Sequence, residues 1–374
     1  MEKFSAWRDP GTGVQPFLTP VPPQTTRSLT DYGTLVLGPV LGVLRSIIVF
    51  ALVIAFGLLH LICMLALCWA TFSFAYLDFG QFLPMLQHGK PSTRMEVNTI
   101  DKWTPGSGDI VVSNWASWIE VLWLAARYNP IFVLPVCAGP AQSSAQNNAP
   151  PTPGRRTGTG SAQIATASAA PRQQILGFRT ATFLEVIRVT GRTPPYDSPI
   201  TTVTSTIEDI RSKSDRPVVV FPECTTSNGR ALIRFADVFI AGKGKHIKHP
   251  VKGFKMYIMC ARYDPPTSMT PSPTHSIPSH SGTLPNPIPH LFTLIFAPTL
   301  TQSLSIRLLA PSDSPSSGSF MASEVILDNG IAPTDEISEA CAVLMAQISK
   351  LRRVGMGWED KVAFLDFYRK RKSL

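Results

Sequence analysis

The chain has 374 residues, 44% of them hydrophobic, with 34 Lys and Arg against 25 Asp and Glu and a formal net charge of +9. That length can hold one large domain or two small ones. The positive balance favours anionic partners, and without a basic-plus-aromatic ladder it points to lipid headgroups or phosphate rather than nucleic acid. The six cysteines (Cys63, Cys68, Cys137, Cys224, Cys260 and Cys341) contain no Cys-x-x-Cys pair. This pattern excludes a zinc finger or a secreted disulfide framework, and fits a reduced domain facing the cytosol.

Residues 1–34 form a polar, Pro-rich segment that is no signal peptide, because the apolar region begins too late and runs too long. Residues 46–77 carry no Lys, Arg, Asp or Glu, more than the ~20 residues a spanning helix needs. The expected membrane anchor covers 35–78. It is either one long tilted helix or a hairpin of two, with Gly57 and His60 as break points. Arg27 and Arg45 on one side balance Lys90 and Arg94 on the other, so the flanking charge does not set an orientation.

Residues 95–310 alternate between strand and helix patterns. Strands are expected at 109–112, 131–136, 217–221, 256–261 and 291–297, and helices at 118–128, 182–189 and 201–212. Strand, helix, strand over 109–136 is a βαβ-like layer, which makes the fold α/β. Residues 138–174 and 265–290 are rich in Pro, Ser, Thr, Gly and Ala, and are expected to be disordered insertions. The C-terminal part, 332–374, is helical. Thr334 is the expected cap of one helix, and a second starts at Trp358 and ends in the basic tail Arg369-Lys370-Arg371-Lys372. That tail suits acidic lipid or a solvated end equally.

Two stretches carry the chemistry. One is Ser113-Asn114-Trp115-Ala116-Ser117-Trp118-Ile119-Glu120; the other is Phe221-Pro222-Glu223-Cys224-Thr225-Thr226-Ser227-Asn228-Gly229-Arg230. Ser117-x-x-Glu120 also reads as a capping box opening a helix, and Asn228-Gly229 as a tight turn. Arg188, Arg192 and Arg230 are candidate phosphate ligands. The run Lys243, Lys245, Lys248, Lys252 and Lys255 is either a solvated loop or a contact for phosphates or a membrane surface.

Both stretches resemble motifs of the glycerolipid acyltransferase superfamily, which includes the lysophosphatidic acid acyltransferases. The first stands at its His-x4-Asp motif and the second at its Phe-Pro-Glu-Gly-Thr motif. Trp7-Arg8-Asp9, Gly11-Thr12-Gly13 and Pro16-Phe17-Leu18 are similar to the N-terminus of the fungal lysophosphatidic acid:oleoyl-CoA acyltransferases, and Arg262-Tyr263-Asp264-Pro265-Pro266 is similar to a segment common in the superfamily. The resemblance implies an α/β sandwich domain with a membrane-embedded helix or hairpin and C-terminal helices. It implies acyl transfer from acyl-CoA, a co-substrate with no bound cofactor or metal, to lysophosphatidic acid or a related lysophospholipid. It further implies phospholipid and triacylglycerol synthesis at the endoplasmic reticulum or lipid droplet, with the domain facing the cytosol. Glu120 would be the catalytic carboxylate, and Phe221, Pro222, Glu223, Cys224, Thr225 and Arg230 would bind substrate.

The chain departs from the family at the motif His. Trp115 stands there, and an indole N–H only donates, so Trp115 is no general base. Cys224 replaces the family Gly. The alternative is a non-catalytic lipid-binding or membrane-organising protein on the same fold. A thioesterase acting through Cys224 is a third reading.

Overall fold

A computed structural model describes residues 4–22, 29–69, 103–137, 170–196, 205–267, 270–279, 284–298, 302–318, 320–326 and 333–372. Four apolar runs build the centre of the fold: β1 (Ile110–Ser113), β2 (Ile131–Cys137), β4 (Val218–Val220) and β6 (Met256–Tyr263). They lie parallel and are almost wholly buried, as near-continuous Val/Ile runs require when both faces of a sheet are covered. Antiparallel β3 (Ile175–Ala181) and β7 (Leu304–Leu308) close the edges, giving the order β3-β2-β4-β1-β6-β7. Neither edge strand is expected from the sequence, because Gly177 and alternating polar residues break up their apolar runs.

The period-two alternation divides the core. Ile110, Val112, Val218, Val220, Met256 and Ile258 face one layer, which holds α7 (Glu336–Ser349) through Ile337, Cys341, Leu344 and Met345. Val111, Val219, Tyr257 and Met259 face the other, with α2 (Ile119–Tyr128) and α3 (Phe183–Val189). Short α4 (Ile207–Ser212) is capped by Thr206 and covers only the end of the expected helix at 201–212; residues 201–204 lie outside the described residues. α6 is a single turn, Ala322–Val325.

The expected strand at 291–297 is instead a helix, α5 (Ile288–Ile295), opened by Pro287 and Pro289. An apolar run of that length fits either period, and proline in the first turn favours the helix. The expected disorder at 265–290 is also corrected. Residues 270–279 and 284–290 are ordered, with Thr274, His275, Ser276 and Asn286 buried; His275 and Asn286 bond to each other and to the backbone of the site described below. Of the other expected insertion, 138–169 lies outside the described residues, whereas 170–174 is tied down by Ala170 N–H donating to Asp360 and Gln173 N–H to Glu359.

α1 (Leu29–Trp69) is one helix running straight through Gly57 and His60, with Pro39 inside it. Its stretch Leu37–Ala55 is long and apolar enough to cross a membrane and is only 11% buried. Residues 70–78 of the expected anchor lie outside the described residues.

At the C-terminus, Asp335 rather than Thr334 caps α7. Its carboxylate accepts from Ser338 N–H (3.1 Å) and also from Phe239 N–H (2.9 Å), a tertiary bond that the sequence does not announce. α8 (Trp358–Lys372) follows after the two-stranded pairing of β5 (Ala231–Leu232) with β8 (Arg352–Arg353). Phe364 of α8 is fully buried among the rings of Phe4, Trp7 and Phe17, which seats the N-terminal segment on the domain. Phe364→Ala should cost about 3–5 kcal/mol. Limited proteolysis should then cut first within residues 4–22, where the parent chain is protected.

Candidate functional site

β1 ends at Ser113, and Asn114 pins that end to β6: its Nδ2 donates to Ala261 O (2.9 Å) and its Oδ1 accepts from Ala261 N–H (2.7 Å). The chain then turns through 115–118 into α2. Trp118 stands at the cap position without a side-chain cap bond. Glu120 supplies the missing acceptor, its Oε1 taking the Ala116 and Ser117 N–H groups at 2.5 Å each. This is the Glu half of the expected capping box. The Ser117 hydroxyl is committed elsewhere, donating to Pro273 O at 2.7 Å.

The second motif follows β4. Its Glu223 reaches across to the first: Oε2 accepts from Trp115 N–H (2.7 Å) while Oε1 accepts from Ile233 N–H (3.1 Å). Ser227 N–H donates back to Trp115 O at 2.9 Å. Three successive backbone N–H groups, from 115 to 117, therefore all end on carboxylate oxygens at the positive end of α2. The two motifs form one polar cluster.

Both carboxylates are fully buried, and burial pushes Glu120 up to about 7 and Glu223 up to about 8. Hydrogen bonds work against burial in both, from Tyr263 and the backbone at Glu120 and from the backbone at Glu223. The phenol of Tyr263 donates to Glu120 Oε2 in a short bond, and burial beside that carboxylate holds the phenol well above its ordinary value. Lys361, on α8, is also fully buried. Its ammonium donates to Thr225 Oγ1 (2.9 Å), Thr226 O (2.7 Å) and Thr226 Oγ1 (3.2 Å). Burial drives Lys361 far below its usual range, and attraction to Glu223 opposes this.

Trp115 is packed as a core residue. Its ring stacks on Phe221 (centroids 4.9 Å apart), which in turn stacks on Phe132, and among the described residues its buried indole N–H has no hydrogen-bond partner. Cys224 sits at φ +52°, the left-handed region that suits a glycine, and its carbonyl accepts from the Tyr196 hydroxyl. Burial holds the Cys224 thiol well above its ordinary value, which counts against a thiolate nucleophile. Pro222 O accepts from Ala236 N–H, and Thr225 Oγ1 donates to Arg192 O at 2.6 Å. Arg230 stands apart from these buried groups, with its side chain exposed where the turn leads into β5. Lys243, Lys245, Lys248, Lys252 and Lys255 are all exposed. Arg188 and Arg192 meet the cluster through their backbone oxygens, which accept from Asn286 and Thr225.

Segment 270–279 covers the cluster. His275 N–H donates to Ala116 O (2.8 Å), and Thr226 Oγ1 donates to His275 O (2.7 Å). Gly229 allows this approach: a Cβ there would lie 3.2 Å from the Thr274 side chain, and its φ is +69°. His290, on α5, accepts from the Trp118 indole N–H at 2.9 Å and lies 4.7 Å, ring to ring, from His275. The N-terminal segment closes another side, with Asn228 Nδ2 donating to Gln15 O and Leu18 O. Pockets of about 460 and 300 Å³ lie outside the motif residues; the smaller is lined by Ile233, whose N–H bonds Glu223, and by Arg172, Arg234 and Arg353.

Sequence reading missed Tyr263, His275, His290 and Lys361 as members of this cluster. For Lys361 a signal existed, since it falls three residues after Trp358 and three before Phe364, on the buried stripe of its helix. No group of three or more His, Cys, Asp or Glu suited to a metal occurs among the described residues.

The folded chain favours the protonated form of Glu120. Its contribution to stability is therefore present below about pH 4.5 and is lost as pH rises to about 7. Glu120→Gln keeps a carbonyl acceptor but cannot ionise. It should gain stability relative to the parent by on the order of 3 kcal/mol between those pH values, and no more above them. Parallel denaturation of the two proteins across pH measures this; a constant difference would show that Glu120 is not held protonated by burial.

The chain is similar to a Schizosaccharomyces pombe protein named "Putative lysophosphatidic acid:oleoyl-CoA acyltransferase", at 24% identity over 380 residues covering 98% of each chain. No family model matches the chain, and no solved structure matches it. The full-length likeness suggests an acyltransferase, on a mixed α/β fold that carries one long apolar helix near its N-terminus.

Proposed function

We propose that this chain transfers an acyl group from acyl-CoA to the free hydroxyl of lysophosphatidic acid or a close lysophospholipid, at the endoplasmic reticulum or lipid-droplet membrane. The observation that carries the reading is the direct bonding of Trp115 to Glu223 and Ser227, which unites the two motif segments in a chain similar over 98% of its length to the yeast protein. The exposed apolar surface of α1 supports a membrane setting, where a lysophospholipid resides.

In the transfer, the acceptor hydroxyl attacks the thioester carbonyl. A C–O bond forms, the C–S bond breaks, and the hydroxyl proton passes to a base before reaching the departing thiolate. Trp115 has no lone pair for this step. Glu120 does, and a carboxyl near pH 7 is half ionised under cellular conditions. Tyr263 is the positioning residue on Glu120 Oε2. Because the cluster is covered, segment 270–279 must move aside for substrate to reach it.

The non-catalytic alternative draws support from one observation: the Trp115 ring fills the motif His position in a stack with Phe221. Purified full-length chain given lysophosphatidic acid and oleoyl-CoA should release free CoA. The value of kcat/KM should climb about tenfold per pH unit below about 7 and level off above, with Glu120→Gln down by about 10²-fold or more. Absence of CoA release above the Glu120→Gln level would overturn the catalytic reading. Trp115→His separates the two readings further: a gain in rate marks an enzyme short of a base, while unchanged inactivity favours lipid binding without chemistry.

A further inference from the structure

α5 is an apolar surface helix without a charged residue. None of its residues is buried, and Leu291, Phe292 and the capping Phe296 are 37%, 46% and 38% exposed. The bareness extends well beyond the helix, since residues 265–306, between Asp264 and Arg307, contain no Lys, Arg, Asp or Glu. Part of that run is buried over the motif cluster, but α5 is exposed, and an exposed helix ordinarily carries charge in a chain with 34 basic and 25 acidic residues.

What lies beside α5 identifies what covers it. The Phe296 ring rests on Gly42 of α1, where a Cβ would fall 2.2 Å from the ring, and Phe296 O is 3.2 Å from a Cβ at Gly38. Arg45 donates to Ile295 O (3.0 Å) and Ala297 O (2.8 Å), satisfying the carbonyls that end α5. Arg45 is also the last charge before the uncharged run 46–77. Long basic side chains within a membrane segment reach toward the headgroup level, so Arg45, the one charge within Leu37–Ala55, draws the α5 terminus bound to it toward that level. The apolar face of α5 thus continues the exposed apolar face of α1.

We propose that α5 lies in the boundary between headgroups and acyl chains beside α1, with Leu291, Phe292 and Phe296 in contact with lipid. An uncharged amphipathic segment at that depth is held by its buried apolar area. Through His290 the same helix holds Trp118, two residues before Glu120, so the bilayer contact stands next to the motif cluster. The inference rests on the membrane reading of α1 and is independent of catalysis.

The full chain, reconstituted into phosphatidylcholine vesicles containing a lipid with a photoactivatable acyl chain, tests this. After irradiation, mass spectrometry of the peptides should find lipid adducts on the peptide carrying Leu291 and Phe292 as well as on α1. In the Leu291→Asp/Phe292→Asp variant the α5 adducts should fall by about tenfold, with those on α1 unchanged. Adducts on α1 but none on α5 of the parent chain would overturn the inference while leaving the membrane reading intact. A lack of adducts on both would remove the membrane reading and the inference together. An adduct-free α5 crosslinked to a second copy of the chain would also overturn it.

Discussion

The carboxylate of Glu223 is the joint on which the domain closes. One oxygen holds the turn after β1 at Trp115, the other holds the chain just past β5 at Ile233, and Lys361 ties α8 to the same motif through Thr225 and Thr226. The charged forms of Glu223 and Lys361 would each cost several kcal/mol to desolvate, and burial shifts both groups toward their neutral forms. Lys361 donates to Thr225 and Thr226, so the motif that supplies Glu223 also supplies the groups that satisfy Lys361. The cluster is therefore structural whatever chemistry it performs. Removing any one member leaves a buried polar group without its partner, at a cost of about 1–3 kcal/mol.

That closure shapes what the first motif can do. Trp115 contributes its backbone N–H and C=O to the joint and its ring to a stack with Phe221 and Phe132. A smaller, polar ring would make the same backbone bonds without filling the layer. Glu120 is raised toward neutrality by burial, yet restrained by Tyr263 and the backbone N–H groups of Ala116 and Ser117. His275 and His290 approach from the covering segment, but burial lowers the basicity of both, His275 down to about 3.

The apolar side of the molecule is built on different physics. α1 offers a face of exposed Leu, Val, Ile and Phe, and its Gly38 and Gly42 give the close approach that lets Phe296 settle against it. Small residues on an apolar helix permit such backbone proximity where a hydrophobic driving force between helices is weak. Arg45 adds the polar lock at the end of α5. The contact joins an N-terminal helix to a segment some 250 residues later in the chain, and it brings the motif cluster within two side chains, His290 and Trp118, of that apolar surface.

The sequence alone determined whatever rests on local periodicity. The four parallel strands are continuous apolar runs, α2 and α7 have their 3.6-residue stripes, and α1 holds a long uncharged run after Arg45; these signals need no partner to be legible. The two motif segments were also legible, from residue types and spacing. Only the tertiary structure decided that Glu223 bonds Trp115, that Tyr263 bonds Glu120, and that Lys361 lies buried between two threonines. The ordering of 270–279 and the helix at 288–295 were equally hidden. A Pro/Ser-rich stretch cannot bury enough apolar area to order itself, but it orders when distant backbone groups such as Ala116 O and Arg188 O complete its hydrogen bonds. Periodicity is a property of neighbours in the chain, whereas satisfying a buried charge depends on groups that meet only after folding.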